Sequence, residues 1–154
     1  MTLNLEQSLL SNPAVIIAII ASGVFFLSAL LTGVWKYRCM LASEDHLAPH
    51  YVDIAHRASL MYSFAAMLLA VFAALSLWPV AVNVLATLAP LFFFGLAIVL
   101  YIQLGLANDT DNQFREPKDP RTMAMLMNIL IVAEIGGFLV LFVGTLVRLL
   151  GGSD

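Results

Sequence analysis

The chain has 154 residues, 62% of them hydrophobic and 11% charged, with a formal net charge of −3. Its mean hydropathy is +0.96, and an average soluble domain carries about 25% charged residues; no polar stretch here is long enough to bury a core of its own. The net charge is too small to point to nucleic acid, and the single cysteine, Cys39, excludes an intrachain disulfide and any cysteine cluster for zinc or iron–sulfur.

Several apolar runs reach the ~20 residues that a membrane-spanning helix needs. The segment 1–12 carries Glu6 and no Lys or Arg, and a full-length apolar run follows it. That reads as a spanning segment, not a cleaved signal peptide. The first helix is expected over about 13–35, with Asn12-Pro13 as cap and start. Ser22, Gly23, Ser28, Thr32 and Gly33 are small enough for a neighbouring helix to approach closely. Trp35 and Tyr37 mark the interface, with Lys36 and Arg38 beside them. A short loop to His50 then holds Glu44, Asp45 and His46.

The second helix is expected over about 52–78, opening with Asp53 and Arg57 one turn apart and able to pair. Trp78-Pro79 closes it. The third covers about 83–106, with Pro90 inside it and Tyr101 and Gln103 near its last turns. The loop 107–121 is the most polar segment, and it lacks the Gly and distal Glu of an EF-hand. The fourth helix is expected over about 122–150, with Asn128 in its first third and Glu134 close to its middle. Together these give an all-α, integral membrane four-helix bundle forming one transmembrane domain over 1–154.

Lys36, Arg38, Arg57, Arg115, Lys118 and Arg121 belong to the loops after helices one and three, or to their edges; only Arg148 lies at the opposite end. The positive-inside rule therefore puts both loops in the cytoplasm and both termini outside. The small size and the lack of a cleavable signal suggest a bacterial inner membrane.

The candidate chemistry is sparse. His56 stands just inside the edge of helix two, where a neutral imidazole is a good ligand for haem iron or another transition metal. The plainer reading is an interfacial histidine hydrogen-bonded to a carboxylate or carbonyl. His46 and His50 are four apart, but Pro49 disfavours a helical metal-binding pair, which leaves them as solvated loop residues. Glu134 reads equally as part of a proton or cation relay and as a polar contact between helices. Tyr101 and Tyr62 can donate a proton or hydrogen bond to a ligand, although tyrosine is ordinary at membrane interfaces. Met123, Met125 and Met127 read as packing.

Four short membrane helices, the Ala55-His56 pair opening the second, Tyr101 near the end of the third and Asn112-Gln113-Phe114 in the following loop resemble the styrene oxide isomerase family. Hydroxylaminobenzene mutase is a similar relative. The resemblance implies that His56 is the axial ligand of a b-type haem held between subunits of a homotrimer. It also implies that Tyr101 lies near the haem and that Asn112 and Gln113 belong to the cofactor-binding loop. The expected activity is then an intramolecular rearrangement of a small apolar substrate, epoxide to carbonyl, with ferric haem as Lewis acid. Two positions depart from the family pattern: Tyr62 replaces an asparagine and Phe93 an aspartate, and Glu134 has no counterpart. From the residues alone, two alternatives stand: a non-enzymatic accessory or scaffold subunit of a membrane complex, and a proton-coupled small transporter using Glu134.

Overall fold

The computed structural model describes residues 11–115 and 119–151. It contains four helices: α1 (Pro13–Ala42), α2 (His50–Leu75), α3 (Val80–Ala107) and α4 (Pro120–Gly151). Each is long and apolar enough to cross a membrane. Side chains such as Ile20, Leu31, Phe64, Leu85, Phe92 and Val132 cover the outside of the bundle and suit lipid contact. The expectations for segment 1–10, Glu116 and Lys118 lie outside the described residues. One end of the bundle carries the α1–α2 and α3–α4 loops; the far end carries the short α2–α3 turn.

Three helix limits differ usefully from expectation. α1 continues two turns beyond Trp35, because no Pro or Gly stops it and Lys36 has a partner on α2; Ser43 ends it in an extended conformation. α2 stops at Leu75 rather than Trp78, since Ser76 turns extended and the Trp78 indole N–H is drawn to the Val140 carbonyl, 2.7 Å away. α3 starts directly after Pro79, ahead of Asn83, whose side-chain amide donates to the Trp78 carbonyl at 3.0 Å. The Asn12-Pro13 start is as expected: Asn12 Oδ1 accepts from the Ala14 N–H at 3.1 Å.

α1 and α2 form the tightest pair. Ala14, Ala18 and Ala29 on α1, and Ala55, Ala66, Ala70 and Ala73 on α2, are all buried. Residues this small bring two backbones close, which is how membrane helices gain packing energy without a hydrophobic drive between them. Polar links then stitch the pair from end to end. Asn12 Nδ2 donates to the Ala73 carbonyl at 3.3 Å, and Ser22 Oγ to the Ser63 carbonyl at 2.9 Å. His56 Nδ1 meets the Ala29 carbonyl at 2.9 Å, and Lys36 pairs with Asp53 at 2.6 Å. On α1, Ser22, Ala29 and Lys36 follow at seven-residue steps, about two turns each, and so share one face.

α3 lies against both. The Tyr62 and Phe94 rings stack at 4.4 Å, and Gly105 sits so close to Trp35 and Val52 that a Cβ there would meet them at 2.9 and 3.2 Å. α4 behaves differently along its length. Its far-end half is fixed: Gly137 lies on the α3 backbone at Ala86, Thr145 Oγ1 donates to the Phe72 carbonyl at 3.1 Å, and Phe138 and Phe142 pack edge-on against Phe72. Its loop-end half, from Pro120 to Gly136, has no buried residue.

Candidate functional site

His56 owes its position to the α1–α2 seam. Ala55 and Ser59 are buried on either side of it, and the imidazole lies half-buried against Gly33, with Cε1 only 3.0 Å from where a Cβ at that position would stand. Glycine at 33 is what admits the ring. The Ala29 carbonyl can only accept, so Nδ1 of the neutral imidazole carries the proton and Nε2 keeps its lone pair. One turn earlier, Asp53 takes Lys36 on one oxygen (2.6 Å) and Arg57 on the other (2.7 Å). The expected Asp53–Arg57 pair is therefore present, with a third member contributed by α1.

Tyr101 is drawn into a different cluster. Its ring stacks on Tyr51, centroids 6.1 Å apart, and the Tyr51 hydroxyl accepts from the Gln113 backbone N–H at 2.7 Å. Tyr51, 5% exposed, is the organiser that the sequence reading passed over; a tyrosine in the amphipathic first turn of α2 was the available signal. Asn112 shapes the loop: its Oδ1 accepts from the Phe114 N–H at 2.9 Å, and its backbone exchanges two 3.1 Å contacts with the Thr110 hydroxyl. Gln113 docks that loop on α2, and its Oε1 is buried with no hydrogen-bond partner among the described residues.

The structure thus separates what the sequence placed together. His56 contacts α1, while Tyr62 stacks on α3. The six-residue step between them turns the helix through about 600°, so the side chains leave α2 about 120° apart. Glu134 is half-buried on α4, one turn from the buried Gly137. Among the described residues Glu134 accepts no hydrogen bond and makes no ion pair. Asn128 lies exposed on another side of α4.

Between α3 and the loop-end half of α4 an open cleft of about 1100 Å³ is lined by Leu100, Leu104, Gln113, Met123, Leu126 and His50, among others. At its rim Asp119 caps α4. The Thr122 hydroxyl donates to its carboxylate at 2.6 Å and the Arg121 N–H at 3.0 Å, which holds the carboxyl below the usual carboxylate range. In the other loop, the Ser43 hydroxyl and the Leu47 N–H do the same for Asp45. His46 adopts a left-handed φ of 56° and His50 opens α2, so the two form no helical pair.

Among the described residues no three His, Cys, Asp or Glu side chains gather as a metal site. A single imidazole such as His56 can serve as one ligand of a metal that brings its other ligands with it, as haem iron does. No protein-family model matches this sequence, and neither a curated protein nor a solved structure matches it.

Proposed function

We propose that the protein binds haem b through His56 and acts as an intramolecular isomerase on a small apolar substrate arriving from the bilayer. The observation that carries this reading is the His56–Ala29 contact. A carbonyl accepting from Nδ1–H fixes the tautomer, orients the ring and makes Nε2 a better donor, the arrangement common to metal-ligating histidines. The α1 backbone at Gly33, packed against the imidazole, then limits how far the ring can swing. The resemblance in layout to the styrene oxide isomerases supports the same reading from the sequence side.

In this reading a bound ferric haem supplies a Lewis acid towards the substrate oxygen. Tyr101, held by its stack on Tyr51, donates a hydrogen bond to the substrate, and Tyr62 offers a second hydroxyl. Both leave α2 and α3 on a side that His56 does not face, so the complete site needs a second copy of the chain, and a homotrimer is the assembly the resemblance implies. The Asn112–Phe114 turn acts from a distance by keeping Tyr51 and Tyr101 in place. The protein is read as lying in a bacterial inner membrane, with the two basic loops in the cytoplasm and the termini outside.

The test is an absorption spectrum of detergent-purified protein from haem-supplemented cells, recorded beside His56→Ala. A Soret band that the substitution abolishes supports the ligand and justifies assaying epoxides. A folded but colourless wild-type protein would falsify the haem reading.

A further inference from the structure

We propose that the loop-end half of α4 is a hinged arm, pivoting at Gly136–Gly137 on the Pro90 ring of α3, that opens and closes the α3–α4 cleft towards the bilayer. The inference goes beyond the haem reading and stands without it.

A hinge needs a fixed side. On the far side of the pivot α4 is clamped along its length. Phe138 and Phe142 pack on Phe72, Leu141 is fully buried, and Thr145 Oγ1 donates to the Phe72 carbonyl. The Trp78 indole holds the Val140 carbonyl at 2.7 Å. Across the cleft, α3 is fixed as well, by the Phe94 ring stacked on Tyr62 and by Gly105 seated against Trp35 and Val52.

The arm has no such anchors. From Pro120 to Gly136 no residue is buried. Among the described residues, no hydrogen bond, ion pair or ring contact ties this stretch to another helix. Between Arg121 and Ile135 there is neither Gly nor Pro, so the helical ladder carries the arm as one rod.

Bending then concentrates where the ladder is weakest. In α4 that is Gly136–Gly137, since glycine gives up the most backbone freedom in a helix and glycine is a usual site of kinks. Gly136 has nothing within 4 Å of where a Cβ would stand. Gly137 meets α3 at the level where that helix is interrupted too. Pro90 has no N–H, so the Ala86 carbonyl lacks its helical donor. That carbonyl oxygen lies 2.5 Å from where a Cβ at Gly137 would stand, and Pro90 Cδ lies 2.7 Å from it. A glycine on a proline ring is a smooth bearing, with no side chain to interlock as the helix rolls.

The cleft gives the movement its consequence. Leu100 and Leu104 of α3 face Met123 and Leu126 of α4 across it. At 1.5 Å per residue the arm is about 24 Å long, so a rotation of about 15° carries its tip about 6 Å. Swung inwards, the arm brings these apolar side chains together. Swung outwards, it leaves the cleft to lipid chains, which are as apolar as leucine and replace the lost contacts.

The experiment is a spin-label distance measurement on the full chain in lipid nanodiscs, with Cys39→Ser as background. Leu106→Cys with Met125→Cys labels exposed positions at the loop end; Val82→Cys with Val147→Cys does so at the clamped end. The loop-end pair should give a distance distribution at least twice as wide as the clamped pair. Gly136→Ala, which stiffens the pivot without meeting a neighbour, should narrow it. Should Gly136→Ala fail to fold, the comparison of the two pairs decides alone. Equal widths at the two ends, or a loop-end width that a folded Gly136→Ala leaves unchanged, would overturn the proposal.

Discussion

The two halves of α4 have nearly the same apolar character, yet one is locked and the other stands free. From Gly137 to Thr145, Gly137 and Gly144 bracket an apolar run and face the neighbouring elements, so the backbone itself rests on α3 and on the Ser76–Trp78 turn. From Pro120 to Gly136 there are methionines, an amide and a carboxylate, no residue is buried, and Gly136 has nothing within 4 Å of where a Cβ would stand. Hydrophobicity does not hold helices together in lipid; close backbone approach does. That is why apolar content fails to distinguish the fixed half from the free half, while the placement of glycine succeeds.

The sharpest way to break this contrast is to place a methyl group on each half. A Cβ at Gly137 would lie 2.5 Å from the Ala86 carbonyl oxygen and 2.7 Å from Pro90 Cδ, neither of which can move aside. Gly137→Ala should therefore lower stability by about 2–3 kcal/mol, at the upper end for overpacking. At Gly136 nothing stands within 4 Å, so Gly136→Ala should be neutral or stabilise by up to about 1 kcal/mol through helix propensity. Thermal unfolding of the two variants in the same detergent reads the difference directly, and equal melting temperatures would mean that the halves do not differ.

A smaller effect is expected on the α1–α2 seam. A Cβ at Gly33 would stand 3.0 Å from His56 Cε1 and 3.2 Å from Nδ1, so Gly33→Ala pushes the ring off the Ala29 carbonyl. The loss should be about 1 kcal/mol, that of one hydrogen bond, and any haem spectrum should shift with it. If Gly33→Ala leaves both stability and spectrum unchanged, the seam does not control the imidazole.

How much of this was legible beforehand follows the same division. Four spanning helices, the Asn12 cap and the Asp53–Arg57 pair could be read because each depends on neighbours in sequence. Glycine 33 stood out as a small residue, but that it makes room for His56 depends on how α1 and α2 align. The separation of His56 from Tyr62 was in principle readable from a six-residue step on one helix. Membrane topology alone obscures it, because topology places these residues at one membrane face without giving their direction around each helix. Glu134 stands out in the sequence as an expensive residue; that its side of α4 continues to the docked Gly137 depends on how α4 meets α3, which no local pattern announces.

Two weaker probes test the loop end. Asp53→Asn removes both ion pairs, which are partly exposed, so the expected loss is below about 1 kcal/mol and should shrink further in high salt. A salt-independent loss would instead point to a buried role for that carboxylate. The Asp119 cap sets a pH dependence. Its folded-state pKa is depressed, so its contribution is present above the unfolded value of a carboxyl and is lost as pH falls through the folded value. Hydrogen exchange at Arg121–Met123 should therefore quicken in acid, beyond the intrinsic trend, while the Gly137–Thr145 segment stays protected. Equal acid sensitivity of both segments would contradict the two-part description of α4.

The most direct measurement is a titration of apo-protein with haemin, followed at the Soret band, for wild type, His56→Ala and Glu134→Gln in parallel. Saturable binding by wild type and Glu134→Gln, with none by His56→Ala, is the expected result: haem held at the α1–α2 seam and the α4 carboxylate serving something else. Haemin binding that survives His56→Ala, or that disappears in a folded Glu134→Gln, would contradict it.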